Sequence, residues 1–166
     1  MTFRVRPALP ADMRAVRDLV NPYAEQRILL AKEMVAYYEA VQEFVVAEAD
    51  DGTVIGCGAL HVMWSDLAEV RTLAVHPRWR RRGVGNALLE DLLGRARALG
   101  LRRVFCLTFE VDFFTRRGFR PIEGTPVDPE VYSELLRSPD DGVAEFLDLE
   151  RVKPNTLGNT RMLKHL

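Results

Sequence analysis

The sequence predicts an α/β fold in which one mixed sheet is flanked by helices, and three observations carry that reading. Apolar residues recur with a period of two in some segments and with a helical period in others. The two kinds of segment alternate along the chain instead of forming separate blocks. Asp50-Asp51-Gly52-Thr53 lies between two β-branched runs, as a hairpin turn would.

The elements follow in order. Residues 3–7 (FRVRP) alternate and read as a first strand. Residues 11–20 read as a helix with Asp12 near its start and Met13, Val16, Leu19 and Val20 on one side. A second helix, 33–42, carries Met34, Tyr37, Tyr38 and Val41. Strands are expected at 44–49, 54–63 and 69–75, the last one stopped by His76-Pro77, because Pro has no N–H for the ladder. From Val84 to Leu99 the period turns helical: Val84, Leu88, Leu89, Leu92, Leu93 and Ala96 form one apolar stripe, with Gly100 just past the end. A buried strand is expected at 104–108 and a short helix at 112–117. A further helix is expected at 129–137, a strand at 143–149, a polar loop at 153–160 and a terminal strand at 161–166. The chain reads as a single domain, 1–166, with 126–166 as elements on the substrate side.

Composition excludes several classes of function. The 166 residues suit one core, with 48% hydrophobic and 28% charged residues. Lys plus Arg (23) nearly balance Asp plus Glu (24), so no charge excess points to nucleic acid or a membrane surface. There is no apolar run of spanning length and no signal-peptide pattern, so a cytoplasmic protein is expected. Cys57 and Cys106 sit in apolar strand-like runs with no metal-ligand spacing; they read as buried core thiols, and no metal is expected.

The segment with the most chemistry is VRTLAVHPRWRRRGVGN, 70–86. A strand ends at a Pro, a loop with Arg78, Arg80, Arg81 and Arg82 follows, and Gly83-Val84-Gly85 opens the amphipathic helix. The first turn of a helix leaves N–H groups without intrahelical partners, and with the helix dipole they suit an anion such as a pyrophosphate. A glycine-rich turn beside a solvated basic loop is the plainer reading of the same residues.

Arg80-x-x-Gly83-x-Gly85 matches the Q/R-x-x-G-x-G/A signature, and the chain resembles the GNAT acetyltransferases over residues 3–125. Phe113-Phe114-x-x-x-Gly118-Phe119 matches their second landmark, a short helix ending at Gly before a strand. The resemblance implies a mixed central sheet splayed at the fourth strand. Acetyl-CoA would lie along Leu73, Ala74 and Val75, with its pyrophosphate on Arg80, Arg81, Arg82, Gly83, Val84, Gly85 and Asn86. An amide of the Leu73–Val75 stretch would donate to the thioester carbonyl; one such donor is typically worth about 3–4 kcal/mol of barrier. An α-amino group has a pKa of about 8, so a base must remove a proton before attack. Glu69 is the first candidate base, with a solvated strand-end carboxylate as the alternative reading. His61 is the second, with packing as its alternative. The family's usual Tyr acid is replaced by Phe114, so the thiolate would leave unprotonated or take a proton from water.

A narrower likeness concerns the substrate. Ile28-Leu29-Leu30-x-Lys32, Ile55-Gly56-Cys57-Gly58-Ala59-Leu60, Glu69, LRRVFCLT (101–108) and the 113–119 segment resemble the short, single-domain N-acetylglutamate synthases. The likeness implies acetyl-CoA plus L-glutamate giving N-acetylglutamate and CoA, at the entry to arginine biosynthesis. Lys32 and Arg161 are the expected substrate cations. In the long synthases a basic residue follows the strand matched by 104–108; here Thr108-Phe109-Glu110 stands there, which leaves glutamine or another amine open. The polar stretch from Lys153 to Arg161 reads either as a substrate contact or as a capped turn. Other acceptors (a peptide N-terminus, a polyamine, an antibiotic), a non-catalytic acetyl-CoA sensor and an assembly subunit are the other readings. The oligomeric state is left open, a homodimer included.

Overall fold

The structure, a computed structural model, describes residues 2–26, 32–155 and 158–166, with backbone alone at 154–155. The chain divides into two compact units: Met1–His61 with Val70–Leu99, and Val62–Glu69 with Gly100–Leu166.

In the first unit, β1 (Phe3–Pro7) pairs antiparallel with β2 (Phe44–Ala49), which pairs antiparallel with β3 (Val54–Trp64). Beside β3 runs β4 (Leu67–Val75). The helices are α1 (Met13–Glu25), α2 (Met34–Glu39) and α3 (Val84–Ala98). The core joins Met13, Val16, Leu19 and Val20 of α1 to Tyr37, Phe44, Val46, Cys57, Ala59 and Ala74. The expected stripe of α3 is buried at all six positions, and each buried Val or Leu contributes about 1.5–3 kcal/mol of apolar transfer.

Two glycines of β3 let α3 lie close to the sheet. A Cβ on Gly56 would stand 2.9 Å from Leu88 Cδ1 and 3.0 Å from Val84 Cγ1; one on Gly58 would stand 2.9 Å from Leu92 Cδ1 and 3.0 Å from Leu73 Cδ1. The glycine pair of β3 therefore sets how near α3 comes to that strand.

In the second unit the strand order is β4, β5 (Arg103–Thr108), β7 (Thr160–His165), β6 (Arg120–Pro121). The parallel β4–β5 ladder is short: Leu67↔Arg103, Ala68↔Val104 and Glu69↔Phe105. β5 pairs with β7 along its whole length, Arg103 to Thr108. The short parallel ladder lies where the splay of the fourth strand was expected. Helices α4 (Val111–Thr115), α5 (Pro129–Leu135) and α6 (Asp141–Phe146) complete this unit. Its core gathers Met63, Leu67, Phe105, Leu135, Val143, Phe146, Leu147 and Leu163.

Several expectations need correction. The strand expected at 143–149 is helix α6: the Asp140 side chain accepts from Val143 N at 2.9 Å and starts it. Residues 143–147 are all buried, so no alternation of polar and apolar residues was there to give the period. Helix α1 runs past Pro22 to Glu25, five residues beyond the expected end at 20. Asp12 does not cap that helix with its side chain; its carboxylate takes Leu9 N and Arg6 instead. The two-residue β6 was too short to read from sequence. Ile28–Leu30 and Thr156 lie outside the described residues.

Candidate cofactor and catalytic site

The basic loop is built to present amides. His76 N donates to Ile55 O at 2.8 Å, which fixes the end of β4 beside the start of β3. A 3₁₀ turn, Pro77–Trp79, follows, and His76 Nδ1 accepts from Arg78 N at 3.2 Å. Arg81 and Gly83 then take φ of 61° and 83°, and α3 begins at Val84. Nothing lies within 4 Å of a Cβ placed on Gly83, so backbone conformation, not space, calls for glycine there. Gly83 offers no side-chain cap, and Ala87 N is bonded to Gly83 O at 3.0 Å. The N–H groups of Val84, Gly85 and Asn86 precede that first helical bond, the position in a helix where anions are commonly held. This donor set fits a diphosphate.

Tyr23, from the last turn of α1, joins this loop. Its hydroxyl donates to Val75 O at 2.8 Å and accepts from Arg80 Nη2 at 2.8 Å, with the Arg80 guanidinium 5.5 Å from the ring centroid. Arg82 lies 5.2 Å from the Trp79 ring centroid. Upstream in β4, Thr72 has φ of 57°. A β-branched residue in the left-handed region costs about 1–3 kcal/mol. It is buried, and Cys57 Sγ donates to its carbonyl at 3.4 Å. The irregularity falls just before Leu73, Ala74 and Val75, the stretch expected along the pantetheine. Ala74 is buried and Leu73 and Val75 are half-buried.

The two candidate bases differ in setting. His61 Nδ1 is 2.8 Å from Glu43 Oε1, with both side chains partly exposed, at 27% and 31%. A carboxylate on Nδ1 orients the ring. Glu69, in the second unit, is 4% exposed, so it is not a solvated strand-end carboxylate. Burial, and then the charge of Glu69, push the Cys106 thiol well above its ordinary range. Burial also pushes Cys57 up to about 12, so both cysteines are core thiols.

Lys32 Nζ stands 6.0 Å from the Tyr37 ring centroid. Arg161, 8% exposed, donates through Nε to Glu145 O at 2.8 Å and through Nη2 to Gly124 O at 2.9 Å and to Phe146 O. Lys153 pairs with Asp148 at 2.5 Å. Glu110, exposed, precedes α4 and donates its N–H to Thr108 Oγ1 at 2.8 Å. Phe114 is buried edge-on against Phe113 and Phe119, each 5.1 Å away between centroids, as a packing residue. Among the described residues no group of three or more His, Cys, Asp or Glu could hold a metal, and no helix is long and apolar enough to cross a membrane.

Sequence reading missed Tyr23, Glu43 and the irregularity at Thr72. Tyr23 lies beyond the helix end expected at 20, Glu43 lies 18 residues from its partner, and Thr72 is an ordinary strand residue by type.

The sequence profile of the Acetyltransferase (GNAT) family matches residues 13–119. The chain belongs to this family. As a GNAT acetyltransferase it uses acetyl-CoA as the acetyl donor. A Mycobacterium tuberculosis protein named amino-acid acetyltransferase is 59% identical over 161 residues, which is 96% of this chain and 92% of that protein. An Azotobacter vinelandii amino-acid acetyltransferase is 38% identical over 120 residues, 71% of this chain but 28% of that longer protein. Among solved structures, a Mycobacterium tuberculosis protein in complex with CoA and NLQ has 58% identity and a TM-score of 0.95 over 98% of this chain and 99% of its own. N-acetylglutamate synthase from Neisseria gonorrhoeae, complexed with CoA and N-acetyl-glutamate, has 25% identity and a TM-score of 0.79, covering all of this chain and 35% of its own.

Proposed function

We propose that this GNAT acetyltransferase acetylates the α-amino group of a glutamate-like amino acid, L-glutamate first, giving N-acetylglutamate at the entry to arginine biosynthesis. The observation that carries the proposal is the 59% identity, along nearly both full lengths, to a protein named amino-acid acetyltransferase. The profile match at 13–119 draws residues from both compact units, which supports reading 1–166 as one catalytic domain.

Acetyl-CoA brings an activated thioester. The remaining work belongs to the chain. Arg80, Arg81, Arg82, Gly83, Val84, Gly85 and Asn86 hold the diphosphate through the amides of the first turn of α3 and the Arg80 side chain. The backbone of Leu73, Ala74 and Val75 aligns the pantetheine, and one of its N–H groups faces the oxygen on which charge develops. Glu69 takes the ammonium proton on a carboxylate oxygen, directly or through water. His61, held by Glu43, is the second candidate. Lys32 meets a substrate carboxylate. Arg161 has Nε and Nη2 turned to backbone carbonyls, so its Nη1 edge is the one we assign to the substrate.

A second reading, L-glutamine as acceptor, is favoured by Glu110, an acid at the position where the long synthases place a base. Thiol release measured with acetyl-CoA and each of the twenty amino acids tests both readings. Glutamate, or glutamine in the second reading, should give the highest kcat/KM. Turnover with a peptide or polyamine and with no amino acid would overturn both. For the base, Glu69→Gln should lower kcat at pH 7 and recover partly at higher pH, where more amine is neutral. An unchanged profile moves the role to His61 or to bulk water.

A further inference from the structure

The hydroxyl of Tyr23 joins three elements at one atom: the last turn of α1, the end of β4 at Val75 O, and the Arg80 side chain that opens the signature loop. A phenol has one proton and two lone pairs. The proton goes to Val75 O, and a lone pair receives Arg80 Nη2, each at 2.8 Å. The guanidinium also lies 5.5 Å from the ring centroid, within range of a cation–π contact. Arg80 itself is exposed. Without these two contacts its long side chain would sample many rotamers, and binding an anion would cost that freedom. With them, one N–H of Nη2 is used and the guanidinium is held on Tyr23, while Arg80 itself lies three residues before the Gly83 that opens α3.

We infer that Tyr23 is a positioning residue: it presets the Arg80 guanidinium for the diphosphate of acetyl-CoA. The inference rests on the placement of the diphosphate on the Arg80–Asn86 loop, and is independent of which amino acid is the acceptor. It separates Tyr23 from acid catalysis, because the hydroxyl is engaged at the Val75 and Arg80 end of the cradle.

The test is calorimetric and needs no acceptor. CoA and 3′-phosphoadenosine 5′-diphosphate, which carries the diphosphate without the pantetheine, are titrated into wild type, Tyr23→Phe, Arg80→Ala and the double variant. Tyr23→Phe keeps the ring and removes the hydroxyl. Its affinity for both ligands should fall by the same factor, about tenfold, as expected for loss of one charge-assisted hydrogen bond. The double variant should bind no more weakly than Arg80→Ala alone, because Tyr23 acts through Arg80. The melting temperature of Tyr23→Phe should match wild type. A loss confined to CoA would place the role of Tyr23 at the Val75 carbonyl and overturn the inference. So would unchanged affinity for both ligands, or additive losses in the double variant. If the wild type binds CoA but turns over no amino acid, the proposed acceptor fails and the inference on Tyr23 stands. If the wild type binds neither ligand, the placement of the diphosphate fails and takes this inference with it.

Discussion

Arg80, at the start of the signature loop, and Arg161, in the last strand, carry the same group under opposite conditions. Arg80 is exposed and is held by one neutral hydroxyl and one ring face. Arg161 is 8% exposed and is held by the carbonyls of Gly124, Glu145 and Phe146. Burial lowers its pKa, while Asp148 and Glu145 act the other way. A guanidinium that is charged at every working pH must find acceptors when it is buried. Arg161 finds them in the backbone around α6, so it ties three chain segments of the second unit together. Arg80 is held through Nη2 by Tyr23, and under the proposed function its remaining donors serve the diphosphate. The first unit thus carries a cation whose loss should show in binding, and the second a cation whose loss should show in folding as well as at its proposed substrate edge.

The largest effect expected from breaking this contrast is at Arg161. Arg161→Met leaves three carbonyls without their donor, and each buried acceptor left unsatisfied costs about 1–3 kcal/mol. Urea denaturation would measure it, and a loss below about 1 kcal/mol, the scale of an ordinary surface change, would contradict the contrast.

A third arginine sharpens it. Arg6 donates to both Asp12 carboxylate oxygens, at 2.8 and 2.9 Å, and also to Glu48. The hydrogen bonds from Arg6 are the main cause that holds the Asp12 carboxyl below its usual range. A lowered carboxyl contributes stability that is fully present above its unfolded pKa, about 3.9, and is lost as pH falls through the folded value. Asp12→Asn should therefore lower stability at neutral pH, and progressively less below about pH 4. Thermal melts across that range would check the sign; a cost that grows on acidification would refute it.

Gly56 tests the binding side of the comparison without touching an arginine. Gly56→Ala must push Leu88 and Val84 outward, for a cost of about 1–3 kcal/mol from overpacking. Because Val84 opens α3, affinity for CoA should fall as well. Retained affinity in a destabilised variant would mean that the loop is set independently of β3. The smallest stability effect is expected at Arg80→Ala, within about 0.5 kcal/mol, while KM for acetyl-CoA rises about tenfold or more.

The same contrast explains what could be read from the sequence. The loop region was legible because its requirements are local: a Pro that stops a strand, a glycine at positive φ, and an apolar stripe at helical spacing. Five of the first six strands and the three helices around the loop follow from such signals. Residues 143–149 were not legible, since every position from 143 to 147 is buried and neither period stands out. The partners of Arg161 are backbone carbonyls, which have no signature by residue type. Tyr23 and Glu43 act through contacts across long sequence separations, 57 residues from Tyr23 to Arg80 and 18 from Glu43 to His61. At Glu69 the sequence placed the carboxylate on the right strand but not its burial.

The central claim is that acetyl-CoA is held by the loop from Arg80 to Asn86, and Gly85→Asp tests it most directly. That substitution puts a side chain and a negative charge where the first turn of α3 offers its amides. Titration calorimetry with acetyl-CoA should give binding to the wild type and at least about a tenfold loss in the variant, with the melting temperature retained. Wild-type affinity in a folded Gly85→Asp protein would contradict the account.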